Sequence, residues 1–242
     1  MYAIETKALV KRYQKLTAVD GLDLQVQQGE LFALLGVNGA GKTTAIKMLS
    51  CLSQPTSGDA TVGGYSIRKE PERVKALIGV SPQETAVAPN LSVRENLELI
   101  CGIHGFSKEK TAERIGCLSE QFDLAQVLQR RVGKLSGGWQ RRVSIAMALI
   151  SQPKILFLDE PTLGLDVLAR HELWKVIRSL KGKVTMILTT HYMEEAAALS
   201  DRIGIMKNGR LLAVGTAKEL QERAGVQDFE TAFVSIVKEG EV

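Results

Sequence analysis

The stretch GVNGAGKTT, Gly36 to Thr44, constrains this chain more than any other. It sets three glycines, one lysine and two threonines between an apolar run and a helical pattern. Glycine reaches positive φ without steric penalty, and a glycine-rich turn lets successive backbone N–H groups converge on an anion. The preceding ELFALLG, Glu30 to Gly36, predicts a short buried strand. Behind the loop, Ala45, Met48, Leu49 and Leu52 recur at i, i+3, i+4 and i+7 and predict an amphipathic helix. Strand, glycine loop and helix are the context that the pattern G-x-x-x-x-G-K-[ST] requires. The helix N-terminus adds partial positive charge. Lys42 would then reach the β- and γ-phosphates of a nucleotide, and the Thr43 hydroxyl would ligate Mg²⁺. A flexible connection with an exposed lysine is the competing reading, and the flanking segments weigh against it.

At 242 residues the chain can bury one large core with a smaller attached part. Its net charge of +4 is mild and its Lys and Arg are scattered, which makes no case for nucleic acid. The basic pair Arg141-Arg142 in GKLSGGWQRR reads as a solvated helix face. Cys51, Cys101 and Cys117 stand far apart with no C-x-x-C pair, so each reads as a small apolar residue and not as a ligand or disulfide partner. The N-terminal MYAIETKALVKRY has no signal-peptide core, and no run of eighteen apolar residues occurs, so a cytosolic chain without a bilayer span is expected.

Residues 1–30 predict antiparallel strands. Leu22, Leu24 and Val26 alternate with Asp23, Gln25 and Gln27, and QQGE is a turn. LIGVS (77–81), KILFLDEP (154–161) and KVTMILTTH (183–191) are apolar strands ending near Gln83, Asp159-Glu160 and His191. Leu173, Val176, Ile177 and Leu180 have helical spacing, as do Val143, Ala146, Met147 and Ile150. Strands alternating with helices imply an α/β fold with a mixed, mainly parallel sheet, whose ligands bind at the C-terminal strand edge. The phosphate loop, Gln83, Asp159, Glu160 and His191 should therefore meet in one crevice. Residues 84–150 contain no strong strand and read as an inserted helical subdomain, opened by the capping box Ser92/Glu95 and a stripe of Val93, Leu97, Ile100 and Cys101. Near the end, Asn208-Gly209 predicts a hairpin and TAKE (216–219) caps a short helix. The α/β core with its N-terminal antiparallel β subdomain is thus expected over 1–83 and 151–220, and 221–242 reads as a tail without legible chemistry.

LSGGWQRR begins at Leu135, and Ser136, Gly137 and Gly138 precede a helix. This is a second helix start able to receive phosphate. With it in place, the sequence resembles the ATP-binding subunits of ABC transporters, in a P-loop NTPase fold. The resemblance runs from about residue 3 to residue 220. GVNGAGKTT stands as Walker A, PQE as the Q-loop, LSGGW as the signature, ILFLDEP as Walker B, LGLD as the D-loop and TTH as the switch histidine. TTHYMEEAAALSDRIGIMKNGRLLAVGT looks most like the branch that exports drugs, lipids and polysaccharides.

The resemblance implies ATP and Mg²⁺ as cofactors, and separate transmembrane permease subunits as partners at the cytoplasmic face of the cell membrane. Their short cytoplasmic helices are expected in a groove near residues 84–105, along Val93, Leu97 and Ile100. It also implies a head-to-tail dimer, with itself or a similar subunit, in which each ATP lies between Walker A of one chain and the signature of the other. Gly36, Asn38, Gly39, Ala40, Gly41, Lys42, Thr43 and Thr44 match the phosphate cradle, and Tyr13 matches the aromatic that stacks on adenine. Thr43, Gln83 and Asp159 match the magnesium ligands. Glu160 matches the general base, His191 the switch residue at the γ-phosphate, and Asp166 the D-loop aspartate. Ser136, Gly137 and Gly138 match the part that closes on the partner's nucleotide. Trp139 stands where glutamine is most frequent in the signature, and Leu163 where serine is frequent in the D-loop.

A soluble ABC-type ATPase of DNA repair would carry heptads or a metal-ligand cluster between Lys42 and Ser136, and none is present. A non-hydrolysing nucleotide-binding regulator would not need the Asp159-Glu160 pair and His191. A small-molecule kinase would leave LSGG without a purpose.

Overall fold

The five residues Leu31–Leu35 (β4) have no polar side chain and no exposed one, and around them the sheet of this computed structural model is built. Residues 1–240 are described. Before β4 come β1 (Tyr2–Tyr13), β2 (Leu16–Leu22) and β3 (Gln25–Gln27), and after it α1 (Lys42–Leu49), β5 (Ser57–Val62), β6 (Tyr65–Ser66), α2 (Pro71–Lys75) and β7 (Ile78–Ser81). A helical run follows: α3 (Val93–Ile103), α4 (Lys108–Gln121) and α5 (Gly137–Ala148). The chain then alternates through β8 (Ile155–Asp159), α6 (Val167–Leu180), β9 (Thr185–Thr190) and α7 (Met193–Leu199), and closes with β10 (Arg202–Lys207), β11 (Arg210–Gly215), α8 (Ala217–Ala224) and α9 (Phe229–Glu239).

The larger sheet has the order β11-β10-β4-β9-β8-β7, parallel except for the β10–β11 hairpin. Its register places Leu35 beside Thr190, Asp159 beside Thr189 and Ser81 beside Leu158. Four strands thus finish in one row, and the segments that leave them open onto a common edge. The smaller antiparallel sheet, β2-β1-β5-β6 with β3 also on β1, packs through Ile4, Leu9, Leu22 and Val26 against α1 and one face of the larger sheet. Leu22, Leu24 and Val26 are buried while Asp23, Gln25 and Gln27 are exposed, as the alternation predicts.

Period-two alternation divides the parallel strands between two cores. Ile155, Phe157 and Ile187 face α1 and the antiparallel sheet. Leu156, Leu158, Met186 and Leu188 face the helical side, where they join Val93, Leu97, Cys101, Val143 and Trp174 in one continuous core. Burying a side chain of this kind contributes about 1.5–3 kcal/mol. The helical insertion therefore shares its core with the sheet.

Four expectations change. The helix behind the glycine loop stops at Leu49. Ser50 caps it, Cys51 takes a left-handed turn at φ 59°, and Leu52 is solvent-exposed. The stripe of α3 is core: Val93 and Leu97 are fully buried and Ile100 packs against them, so it offers no docking groove, and the exposed apolar residues of that helix are Leu99 and Ile103. Cys117 is exposed, Cys101 is buried and Cys51 lies between. The segment after residue 220 is folded. Phe229, Ala232, Phe233 and Ile236 recur at helical spacing on α9 and are buried, and Phe229, Phe233 and Ile236 form a third core with Leu35, Ile203 and Ile205.

Candidate nucleotide site

The glycine loop needs its glycines for two reasons, left-handed backbone at Gly39 and Gly41 and lack of space at Gly36 and Gly41. Gly41 sits at φ 100°, and a Cβ there would lie 2.3 Å from the carbonyl oxygen of Ala18. A Cβ on Gly36 would lie 2.4 Å from the carbonyl oxygen of Met206. The loop is squeezed between the antiparallel sheet on one side and the β10–β11 hairpin on the other, and only hydrogen atoms fit at Gly36 and Gly41. The hairpin turn has left-handed Asn208 and Gly209, as Asn-Gly predicts, and Gly209 N–H donates to the Ala40 carbonyl at 3.1 Å.

This frame opens into a cavity of about 750 Å³, the size range of small-molecule sites. Asn38 to Thr44, Gln83, Glu160, Leu163 and His191 line it, with Tyr13 on the far wall. The structure thus brings together, from four strand ends and β1, nearly all residues that the motifs single out. Sequence reasoning missed Asn208, Leu16, Thr17 and Ala18, which also line the cavity. Asn208 was legible as a turn, but nothing local showed that the turn abuts the glycine loop.

A chain of polar contacts runs along the floor. Lys42 Nζ donates to the carbonyls of Gly36 (2.7 Å) and Val37 (3.3 Å) and pairs with Glu160 Oε1 at 3.2 Å. Glu160 Oε2 meets His191 Nδ1 at 2.8 Å. Lys42 and Glu160 are nearly buried, so water screens the pair little. Glu160 sits in the left-handed region at φ 48°, a strain of about 1–3 kcal/mol for a residue with a Cβ. Its N–H, donating to Thr189 Oγ1 at 3.0 Å, helps to hold it there. Asp159 Oδ1 accepts from Thr189 Oγ1 (2.6 Å) and from Thr43 Oγ1 (3.0 Å).

Thr43 and Asp159 therefore place a hydroxyl and a carboxylate side by side, with the Gln83 amide on the same wall. Among the described residues no group of three or more His, Cys, Asp or Glu is placed to hold a metal. A hard cation here would have one carboxylate and neutral oxygens from the protein and would take the rest of its shell from a bound phosphate. That donor set fits Mg²⁺, which is ordinarily held in this way.

Two buried groups support this floor, and neither was expected. Glu195 on α7 is fully buried and accepts from Trp174 Nε1 at 3.0 Å. Burial raises its pKa, and the nearby Glu160 raises it further, against the hydrogen bond from Trp174. Arg141 is not the solvated residue that the sequence suggests but is 4% exposed beneath Gln83. Its neighbour Arg142 reaches Glu172 at 3.7 Å and lies over the Trp139 ring at 4.8 Å. On the rim, the Tyr192 ring packs against His191 at 4.1 Å and carries the Arg170 guanidinium at 4.6 Å on its plane.

Ser136, Gly137, Gly138 and Asp166 do not line the cavity. Ser136 and Gly137 are exposed, and Ser136 is the N-cap of α5 without a side-chain cap bond. Asp166 caps α6, its Oδ1 accepting from Ala169 N–H at 2.9 Å.

The profile of the ABC transporter family matches residues 19–163, from β2 to the segment after β8. The doxorubicin resistance ATP-binding protein DrrA of Mycobacterium tuberculosis is 45% identical over 212 residues, covering 87% of this chain. The Nod factor export ATP-binding protein I of Burkholderia thailandensis is 41% identical over 221 residues, covering 90%. The aligned region is 64% of the first relative's length and 72% of the second's. A dimeric ATP-binding cassette, solved in a post-hydrolysis state with ADP and inorganic phosphate, superimposes with TM-score 0.79 at 26% identity, covering 88% of this chain and 98% of its own.

Proposed function

The chain belongs to the ABC transporter family, and from that membership we propose that it is an ATP-hydrolysing subunit that energises export through separate membrane subunits. The observation that carries the reading is the Lys42–Glu160–His191 chain across the mouth of the glycine loop. Among the described residues no helix is long and apolar enough to cross a membrane; in this reading separate membrane subunits would supply the transport path, with this chain at the cytoplasmic face. Relatives named for doxorubicin resistance and for Nod factor export support an outward-moving cargo of drug, lipid or polysaccharide type.

ATP would lie with its triphosphate in the Gly36–Thr44 cradle, where backbone N–H groups and the start of α1 favour negative charge. Tyr13 offers a flat face for adenine. Lys42 would exchange its loop carbonyls for phosphate oxygens. Thr43, Gln83 and Asp159 would hold Mg²⁺, which when bound offsets charge on the β- and γ-phosphates. Glu160 would orient the attacking water and accept its proton. Phosphoryl transfer depends on such positioning and on charge stabilisation more than on a strong base. His191 holds Glu160 from the far side and would donate to the γ-phosphate.

Ser136 to Gly138, and Asp166 near them in function, would act on the nucleotide of a second copy in a head-to-tail dimer. Two helix starts and a lysine would then share one triphosphate, and its cleavage would release the pair. We read residues 1–83 and 151–220 as the catalytic core and 84–150 as the part that carries the second helix start.

Glu160→Gln tests this. The variant should bind ATP as the parent does, lose hydrolysis by about 10²–10⁴-fold, and accumulate as an ATP-dependent dimer in size-exclusion chromatography with light scattering. Undiminished turnover would remove Glu160 from the chemistry, and an ATP-bound monomer would remove the shared site.

A further inference from the structure

Arg141 belongs to α5, the helix that Ser136 starts, yet its side chain leaves that helix for the crevice. Nη1 donates to the Pro82 carbonyl at 2.6 Å and Nη2 to the Gln83 carbonyl at 2.5 Å. The fork of one guanidinium thus spans two consecutive peptide units as they leave β7. One turn further on, Ser144 Oγ meets Ser81 Oγ at 3.1 Å, so the same face of α5 is tied to the last residue of β7. Burial disfavours the charged guanidinium, and the carboxylates of Asp159 and Glu195 oppose that effect. A buried cation held by charge-assisted bonds to carbonyls is a strong, directional tie. A lysine in its place would be a point charge without the fork.

We propose that Arg141 is a positioning residue for Gln83: it clamps the backbone of Pro82 and Gln83 so that the Gln83 side chain is presented to magnesium-bound nucleotide, and it makes the Gln83 wall and the Ser136 helix start one rigid piece. The assignment rests on the nucleotide-site reading given above. Arg142 is not equivalent, because its guanidinium is engaged outside the crevice by Trp139 and Glu172.

The consequence is selective. ATP without metal is held by the glycine loop and Lys42, which Arg141 does not touch. Only the gain in affinity that magnesium brings passes through Gln83. Removing a residue that orients a metal ligand costs about 10–100-fold in metal-dependent affinity.

The test compares wild type, Arg141→Lys and Arg141→Met. ATP affinity is measured by displacement of a fluorescent nucleotide in magnesium and in EDTA, alongside amide hydrogen exchange across residues 83–88. We expect the EDTA affinities to agree within about twofold, since the clamp lies outside the phosphate cradle. The magnesium enhancement should fall by about tenfold or more in Arg141→Met and by less in Arg141→Lys, while exchange in residues 83–88 rises in the same order. If Arg141→Met does not fold, Arg141→Lys alone carries the comparison. Equal enhancement and equal exchange in a folded variant, beside a wild type that binds, overturn the assignment alone. A wild type that binds ATP in neither buffer overturns the nucleotide reading and the assignment together.

Discussion

Two helices of this chain carry glycine at their starts, Gly41 as the N-cap of α1 and Gly137-Gly138 as the first residues of α5, and their surroundings are opposite in character. The N-terminus of α1 faces a furnished cavity: Lys42, Thr43, Asp159, Glu160 and His191 stand around it within a network of short contacts. The N-terminus of α5 has Ser136 and Gly137 in solvent. Every helix start leaves N–H groups in need of an acceptor. The first has groups of its own chain to prepare a ligand site, whereas the second lines no part of that cavity. Furnishing at one start and bareness at the other are the contrast that the proposed head-to-tail site would need.

Loading the bare start with charge should have the largest effect. Ser136→Glu places a carboxylate where a partner's phosphates would arrive. Turnover should fall by at least about 10²-fold while the affinity of the lone chain for ATP stays unchanged. Steady-state hydrolysis and nucleotide displacement measured together check this. Loss of binding in the lone chain would mean that the second start serves its own cavity, and the contrast would collapse.

Disturbing the furnished start comes next. Gly41→Ala forces a Cβ into the left-handed region and against Ala18. The strain of about 1–3 kcal/mol should lower Tm by several degrees, at about 2–4 °C per kcal/mol for a chain of this length. Nucleotide binding should weaken with it, and thermal melts with and without ATP read both. An unshifted Tm would show that the loop has room to relax.

The smallest change is Trp139→Gln, which supplies the residue most frequent in the signature. It removes the Arg142–Trp139 contact, worth about 0.5–1 kcal/mol at a partly exposed position. A loss of about 1–4 °C in Tm with turnover within about fivefold is expected. A much larger change in turnover would mean that the indole itself shapes the contact with a second copy.

How much of this could be read without coordinates depends on the distance over which each residue finds its partner. The strand–loop–helix unit at Gly36 was legible because its period, glycines and lysine are all local. The strand ends at Gln83, Asp159 and His191 were legible because a parallel sheet aligns them by topology. Arg141 was not, because the carbonyls that bury it lie 58 and 59 positions away and carry no side-chain signature. Leu52 failed for the opposite reason: a local period ran on past the turn at Cys51 that ends the helix. The helix α9 was there to be found, since Asp228 caps it and Phe229, Ala232, Phe233 and Ile236 keep the helical spacing. The roles proposed for Asp166 and for Ser136 to Gly138 rest on a second copy, and so on the family resemblance and not on any pattern within one chain.

The position of β4 between β9 and β10 has a consequence for biosynthesis. The glycine loop leaves the ribosome early, but the atoms that confine it, at Met206 and Gly209, are made more than 160 residues later. At about 5–20 residues per second, the nascent loop waits some ten seconds or longer without the wall that the β10–β11 hairpin supplies. During that time β4, five apolar residues with no partner strand on either side, is the segment most in need of shelter. The last hairpin to be translated closes the cavity, so competence to hold a nucleotide also reports that translation has passed the β10–β11 turn.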